Sequence, residues 1–237
     1  MNRILTFSIA ILAILLSSCV LNLNSGIEGH GEVVTTNRDV DNFNKIKVSS
    51  GLDLYISQGD ELSVSVKTYE NLQDYVVTRV ENGKLKIYCE ERIRADIKRI
   101  DVTVKDLESL DCSAGSDTWT VDTLQVDEIK ISVSSGADAT VSVNAENVIC
   151  DTSSGAGAKL SGETNTFDCD ASSGSNINAY GLQSITCSAD ASSGADIRVY
   201  VTSSFSGSAS SGGGIDYKGN PKSTNSSKSS GGRIHAH

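Results

Sequence analysis

The chain has 237 residues with 30 acids, 20 bases and a formal net charge of −10, and it contains one proline, one tryptophan, 21 glycines and six cysteines. A surface this acidic repels nucleic acid and anionic lipid head groups, which excludes classes that bind by a basic patch. The length suits one elongated body or two modest domains and sets no oligomeric state.

Residues 1–18 read as a secretion signal: Arg3, then an apolar stretch from Ile4 to Leu16 that is too short for a spanning helix. Leu16-Ser17-Ser18-Cys19 resembles the lipobox of bacterial lipoproteins, in which the signal is cut before the cysteine and the thiol carries lipid. The expected lipid attachment residue is therefore Cys19, whose two or three acyl chains would hold the protein stably on a membrane. Removing residues 1–18 takes one arginine and no acid, leaving a mature charge of −11. Val20 follows the cysteine where inner-membrane lipoproteins commonly have aspartate, which points to the outer membrane. Leu21-Asn22-Leu23-Asn24-Ser25 lacks the early acids of a surface-export signal, which favours the periplasmic face over the outside.

After a linker over 19–30, residues 31–105 are charge-dense and read as strands: Ile46 to Val48, Leu52 to Ser57, Leu62 to Thr68, Val76 to Val80, Leu85 to Tyr88 and Ile100 to Val104. Asn82-Gly83 is a hairpin turn and Tyr69 to Tyr75 a single helical turn. A corner-like Ser49-Ser50-Gly51 stands in this part as an outlier.

Residues 106–237 carry a repeat. Seven tripeptides, from Ser113-Ala114-Gly115 through Ser134-Ser135-Gly136 to Ser229-Ser230-Gly231, place their glycines 21, 19, 19, 20, 18 and 19 residues apart. In register on those glycines, the fifth position before reads Leu110, Ile131, Cys150, Cys169, Ala189, Gly207, and the third before reads Cys112, Val133, Thr152, Ala171, Ala191, Ala209. Between them stand Asp111, Ser132, Asp151, Asp170, Asp190 and Ser208. This is period-two alternation with one buried face. A second strand follows each glycine, as in Ala137 to Val143, and a turn such as Asn144-Ala145-Glu146-Asn147 closes the coil. A fixed period of this length signals stacked units, and parallel crossovers favour the right hand. The expected fold is all-β: a right-handed parallel β-solenoid with coils of about 19 residues, continuous with the β-rich segment that covers one end. Pro221, Lys218, Lys222, Lys228 and Arg233 are features that blunt an exposed edge, so the tail is expected either to cap the other end or to be a solvated terminus.

These features together resemble a known family. Phe43-Asn44-Lys45-Ile46, then Gly51 through Asp60 (GLDLYISQGD), Glu70-Asn71-Leu72, Asn82-Gly83-Lys84-Leu85, the Ser-Ser-Gly-Ala-Asp corners and Tyr217-Lys218-Gly219-Asn220-Pro221-Lys222 are similar to the putative auto-transporter adhesin, head GIN domain family. The resemblance covers roughly residues 42–233. It implies a solenoid-like fold and an envelope location, and it supplies no catalytic residues.

Chemistry is sought first among the acids, 15 of which fall in residues 106–201 against 3 bases. Asp111, Asp151, Asp170 and Asp190 are expected to form one outward ladder. Asp117, Asp138, Asn176 and Asp196 are expected to form a second beside the corner. Such ladders could bind calcium or a glycan, or could simply keep a flat sheet soluble. A polysaccharide lyase or hydrolase would need an acid pair standing apart from the repeat, with a gripping arginine, lysine or aromatic. The repeat shows neither, so the reading is non-enzymatic, with no cofactor beyond the lipid and an optional calcium. The five cysteines beyond Cys19 are read as small buried hydrophobes, and His235 and His237 as a frayed end. The tyrosines and Trp119 are scattered, so packing is their default. The expected function is a lipid-anchored envelope protein presenting a Ser/Asp surface to a glycan, or as a scaffold or sensor to an envelope protein.

Overall fold

The computed structural model describes residues 26–237; the signal segment, Cys19 and the start of the linker lie outside the described residues. The chain forms an all-β solenoid of about seven turns with coils of about 19 residues, as the period implies.

Each repeat alternates because its strands bury one face. Strands β12 (Leu124–Val133), β13 (Asp138–Thr152), β14 (Gly157–Ala171), β15 (Asn176–Ala191) and β16 (Asp196–Ala209) stack in parallel. The register carries Ile131 onto Cys150, Cys169, Ala189 and Gly207 in turn, and all five face the core. Along the repeat the larger side chains pass from one wall to the other. Ile131 and Val133 share a coil with Ala139, whereas Ala189 and Ala191 share one with Ile197 and Val199, all of them buried. At Gly207 the wall has shrunk to hydrogen because the Phe205 ring lies 2.6 Å from where a side chain would begin. That ring stacks on Tyr217 at 4.2 Å.

The Ser-Ser-Gly corners are tight β-turns. In Ser134–Ala137 the Ala137 amide donates to the Ser134 carbonyl (3.2 Å), with φ of 55° at Ser135 and 69° at Gly136, the signature of a type I′ turn. Nothing lies within 4 Å of where a Gly136 side chain would begin, so glycine serves the backbone angle there and not a close approach. The corners are stitched along the stack, each glycine amide donating to the middle residue of the next corner, as from Gly136 to Ser154 (3.2 Å) and Gly155 to Ser173 (3.1 Å).

The second corner departs from expectation. Asn144-Ala145-Glu146-Asn147 is no turn between strands: β13 runs through it, with Ala145 opposite Thr164 and Asn147 opposite Thr166, and only Glu146 drops out of the register. Stacked neighbours supply ladder hydrogen bonds through the bend, and the buried Thr164 hydroxyl donates to the stranded Glu146 carbonyl (3.1 Å).

The N-terminal segment joins the stack out of order. Strands β3 (Lys45–Val48) and β4 (Asp53–Gln58) flank the Ser49-Ser50-Gly51 corner. They lie between β7 (Lys84–Cys89) with β9 (Lys98–Val104) on one side and β10 (Ser109–Cys112) with β11 (Asp117–Thr120) on the other. The outlying corner is thus a rung of the same ladder, the Gly51 amide donating to Ala114 (3.0 Å), and residue 105 marks no boundary in space. Beyond β7 and β9 the direction reverses. Strand β6 (Val76–Glu81) pairs antiparallel with β7 through the Asn82-Gly83 turn, where φ is 52° and 72°. Strand β5 (Ser63–Tyr69) pairs antiparallel with β9, and β2 (Val33–Arg38) with β5, while the short β1 (Ile27–Glu28) lies parallel to β8 (Ile93–Arg94). A 3₁₀ turn, Glu70–Tyr75, occupies the expected helical position and buries Leu72 and Gln73.

The basic tail is not a separate cap. Strands β17 (Gly214–Lys218), β18 (Ser223–Lys228) and β19 (Arg233–Ala236) continue the stack, and Gly212 still donates to Ser230 (3.2 Å). Nor is the histidine end frayed. His235 lies in β19 opposite Asp216, and the His237 amide donates to Tyr217 (2.9 Å).

Candidate binding surface

The first aspartate ladder exists, with an interruption. One outward row runs Lys86, Lys47, Asp111, Ser132, Asp151, Asp170, Asp190, Ser208. Ser132 sets Asp111 apart, and the other three carboxylates occupy consecutive rungs about 4.8 Å from one another. Beside them runs a row of corner serines, and the two rows line a shallow groove of about 510 Å³ that includes Asp151, Ser153, Asp170, Ser172, Asp190, Ser192 and Ser210. Partial burial, then the flanking Asp190 and Asp151, raises the Asp170 pKa above the ordinary carboxylate value.

The ladder is not free of gripping cations, contrary to the repeat-based reading. Lys130 Nζ sits 2.9 Å from Asp151, and Lys84 Nζ lies 2.6 Å from Asp111. Both lysines reach in from a neighbouring outward row, which aligning the repeats on one position does not reveal.

The second row reads Asp53, Asp117, Asp138, Gly157, Asn176, Asp196, Gly214. Three carboxylates are consecutive here too, but they include Asp53, which the sequence did not single out, while Asp196 stands apart. Burial, then Asp138 and Asp53, raises the Asp117 pKa; burial raises that of Asp53, with Lys98 opposing. Asp138 leans over Gly157 into the space a side chain there would take, and Asp196 leans over Gly214 in the same way. Among the described residues no three His, Cys, Asp or Glu side chains converge to hold a metal ion. Both rows present carboxylates as lines along the stack rather than as cages.

Cys89, Cys112, Cys150, Cys169 and Cys187 are free thiols. Cys150 and Cys169 are register partners on the buried face without being bridged. Burial pushes Cys89 up to about 11 and Cys112 up to about 12, and raises Cys150 and Cys169 as well, so none of these four is a ready nucleophile.

The aromatic residues are less scattered than they read. Tyr55 on β4 and Trp119 on β11 are register partners, their rings stacked at 4.9 Å and 22°. The Arg99 guanidinium covers the other face of Tyr55 at 3.9 Å and is held by Asp101 (2.6 Å). Downstream, Lys218 lies over both Tyr180 (5.2 Å) and Tyr200 (4.8 Å). A signal for the first group was present: Tyr55 and Trp119 each fall four residues after the glycine of a Ser-x-Gly corner.

The architecture is a parallel solenoid whose polar residues lie in outward rows along the stack, a fold organised around a surface and not a pocket. Within that architecture, the chain belongs to the family described as putative auto-transporter adhesin, head GIN domain, whose pattern matches residues 42–221. None of the curated proteins matches it. Among solved structures, a putative adhesin from Bacteroides fragilis is similar at 20% identity and a TM-score of 0.83, over 90% of this chain and 100% of that one. A putative lipid binding protein from Parabacteroides distasonis is similar at 21% identity and a TM-score of 0.71, over 90% and 100%. A putative adhesin from Parabacteroides merdae is similar at 18% identity and a TM-score of 0.72, over 90% and 99%. At these identities the likeness establishes the fold.

Proposed function

We propose that this protein is a lipid-anchored, non-enzymatic binding protein of the bacterial envelope, held at the outer membrane through Cys19. Its adhesive surface is the Ser/Asp groove. The observation that carries the reading is the groove itself, in which Asp151, Asp170 and Asp190 and the adjacent serines repeat one identical polar pair on successive rungs. A repeating ligand such as a glycan, contacted once per rung, matches that periodicity, and family membership supports an adhesin-like role. The non-enzymatic reading rests on family membership and on the arrangement of the carboxylates, which stand in a line on successive rungs of one wall and do not face one another across a cleft, as an acid and base flanking a scissile bond would.

A glycan array probed with residues 20–237, in calcium and again in chelator, tests this reading. The expected result is binding without turnover, lost when Asp151, Asp170 and Asp190 are together replaced by asparagine. Binding that the triple replacement leaves intact would remove the groove from the function. Turnover abolished by a single aspartate replacement would make the protein an enzyme. Copurification with an envelope protein, without glycan binding, would turn the reading to a scaffold.

A further inference from the structure

We propose a second binding site on the other wall of the solenoid: a notch beside Trp119 that takes a neutral hexopyranose ring. The outward row there runs Asp101, Tyr55, Trp119, Thr140, Lys159. Trp119 and Lys159 are two rungs apart, about 9.6 Å between strands, with only the short, exposed Thr140 between them. One face of the indole is covered by Tyr55; the other borders the low step at Thr140.

Three features make this step a site for a sugar. The indole is held in place before any ligand arrives, because Asp101 holds Arg99, Arg99 covers Tyr55, and Tyr55 stacks on Trp119. Little ordering cost then remains at binding. The π-face is electron-rich, and the axial C–H face of a β-linked hexose is its electropositive complement. Polar residues that can bond sugar hydroxyls flank the step: Thr140 on it, Lys159 on the next rung, and Asp138, whose carboxylate leans over Gly157 toward that same rung. The flanking carboxylates of Asp53, Asp117 and Asp138 exclude an anionic sugar. Tyr55 and Trp119 alternate with the buried Leu54, Ile56 and Thr118, so they point away from the core.

Trp119 is the only tryptophan in the chain and reports on its own site. The purified full chain is titrated with methyl β-D-galactoside, methyl β-D-glucoside and cellotetraose while tryptophan emission is recorded. The expected result is a saturable change with a dissociation constant in the millimolar range for at least one probe. Thr140→Tyr, which extends the aromatic column over the step, should weaken it at least tenfold with unchanged circular dichroism. Thr140→Leu serves if the tyrosine variant does not fold. The triple aspartate replacement in the groove should leave the titration unchanged, so this site and the groove fail separately. No saturable change with any probe up to about 100 mM, roughly a hundred times a millimolar dissociation constant, would overturn the proposal. So would an undiminished titration in a folded Thr140 variant.

Discussion

Two glycines in one coil separate conformation from space. Gly155 has φ of 70° and nothing within 4 Å of its missing side chain, so Gly155→Ala meets only the left-handed backbone penalty. That penalty is about 1–2 kcal/mol for an L-residue, reduced by about 0.4–1 kcal/mol because alanine also restricts the unfolded chain. The net is about 1 kcal/mol, or roughly 2–4 °C in Tm for a body of this size. Gly162 has φ of 117°, and an added side chain would run into the Val143 carbonyl on the adjacent coil. Gly162→Ala must therefore bear backbone strain and overpacking together, each about 1–3 kcal/mol, and should lower Tm roughly two to four times as far. Differential scanning calorimetry of both variants and the parent, at one scan rate, is the assay. A Gly155→Ala variant that loses as much as Gly162→Ala, or more, would refute the argument that the corner glycines serve angle and not space.

Ile131 is fully buried between Leu110 and Cys150, so Ile131→Asp places a charge where it has neither water nor a partner and should abolish the cooperative transition by circular dichroism. Asp170→Asn should raise Tm at pH 7. The folded pKa of Asp170 lies above its unfolded value near 3.8, so the ionised form costs stability above the folded pKa, and that cost disappears as pH falls through it. Near pH 3, parent and variant should melt together; a gain that persists there would show the effect not to be ionisation.

The repeat was legible because its strands obey a strict period of two, and Ile131, Cys150 and Cys169 stack where the glycine alignment put them. The second corner was not legible, because Asn144 to Asn147 is rich in turn residues and only the adjacent coil reveals that its backbone stays in the ladder. The place of Ser49-Ser50-Gly51 was hidden for a different reason. Its neighbours in space, Ser113 to Gly115, are 64 residues away, and no local signal states that residues 59–108 double back before the stack resumes. The same separation hid the Tyr55–Trp119 pair. The lysines on the first aspartate row were missed because a long side chain reaches diagonally, whereas an alignment compares only equivalent positions.

The interleaving of the first coils makes the two ends of the rod unequal in how they come apart. Toward the last coil, spatial order and chain order agree, so each terminal unit touches only the one before it and can peel away without disturbing the rest. Residues 45–58 are clasped by segments synthesised after them on both sides. They find their place only when residues 84–120 have emerged, and they leave only when the segments on both sides, 84–104 and 109–120, let go. Pulled from its far end, the protein should unravel coil by coil and then halt at a locked base.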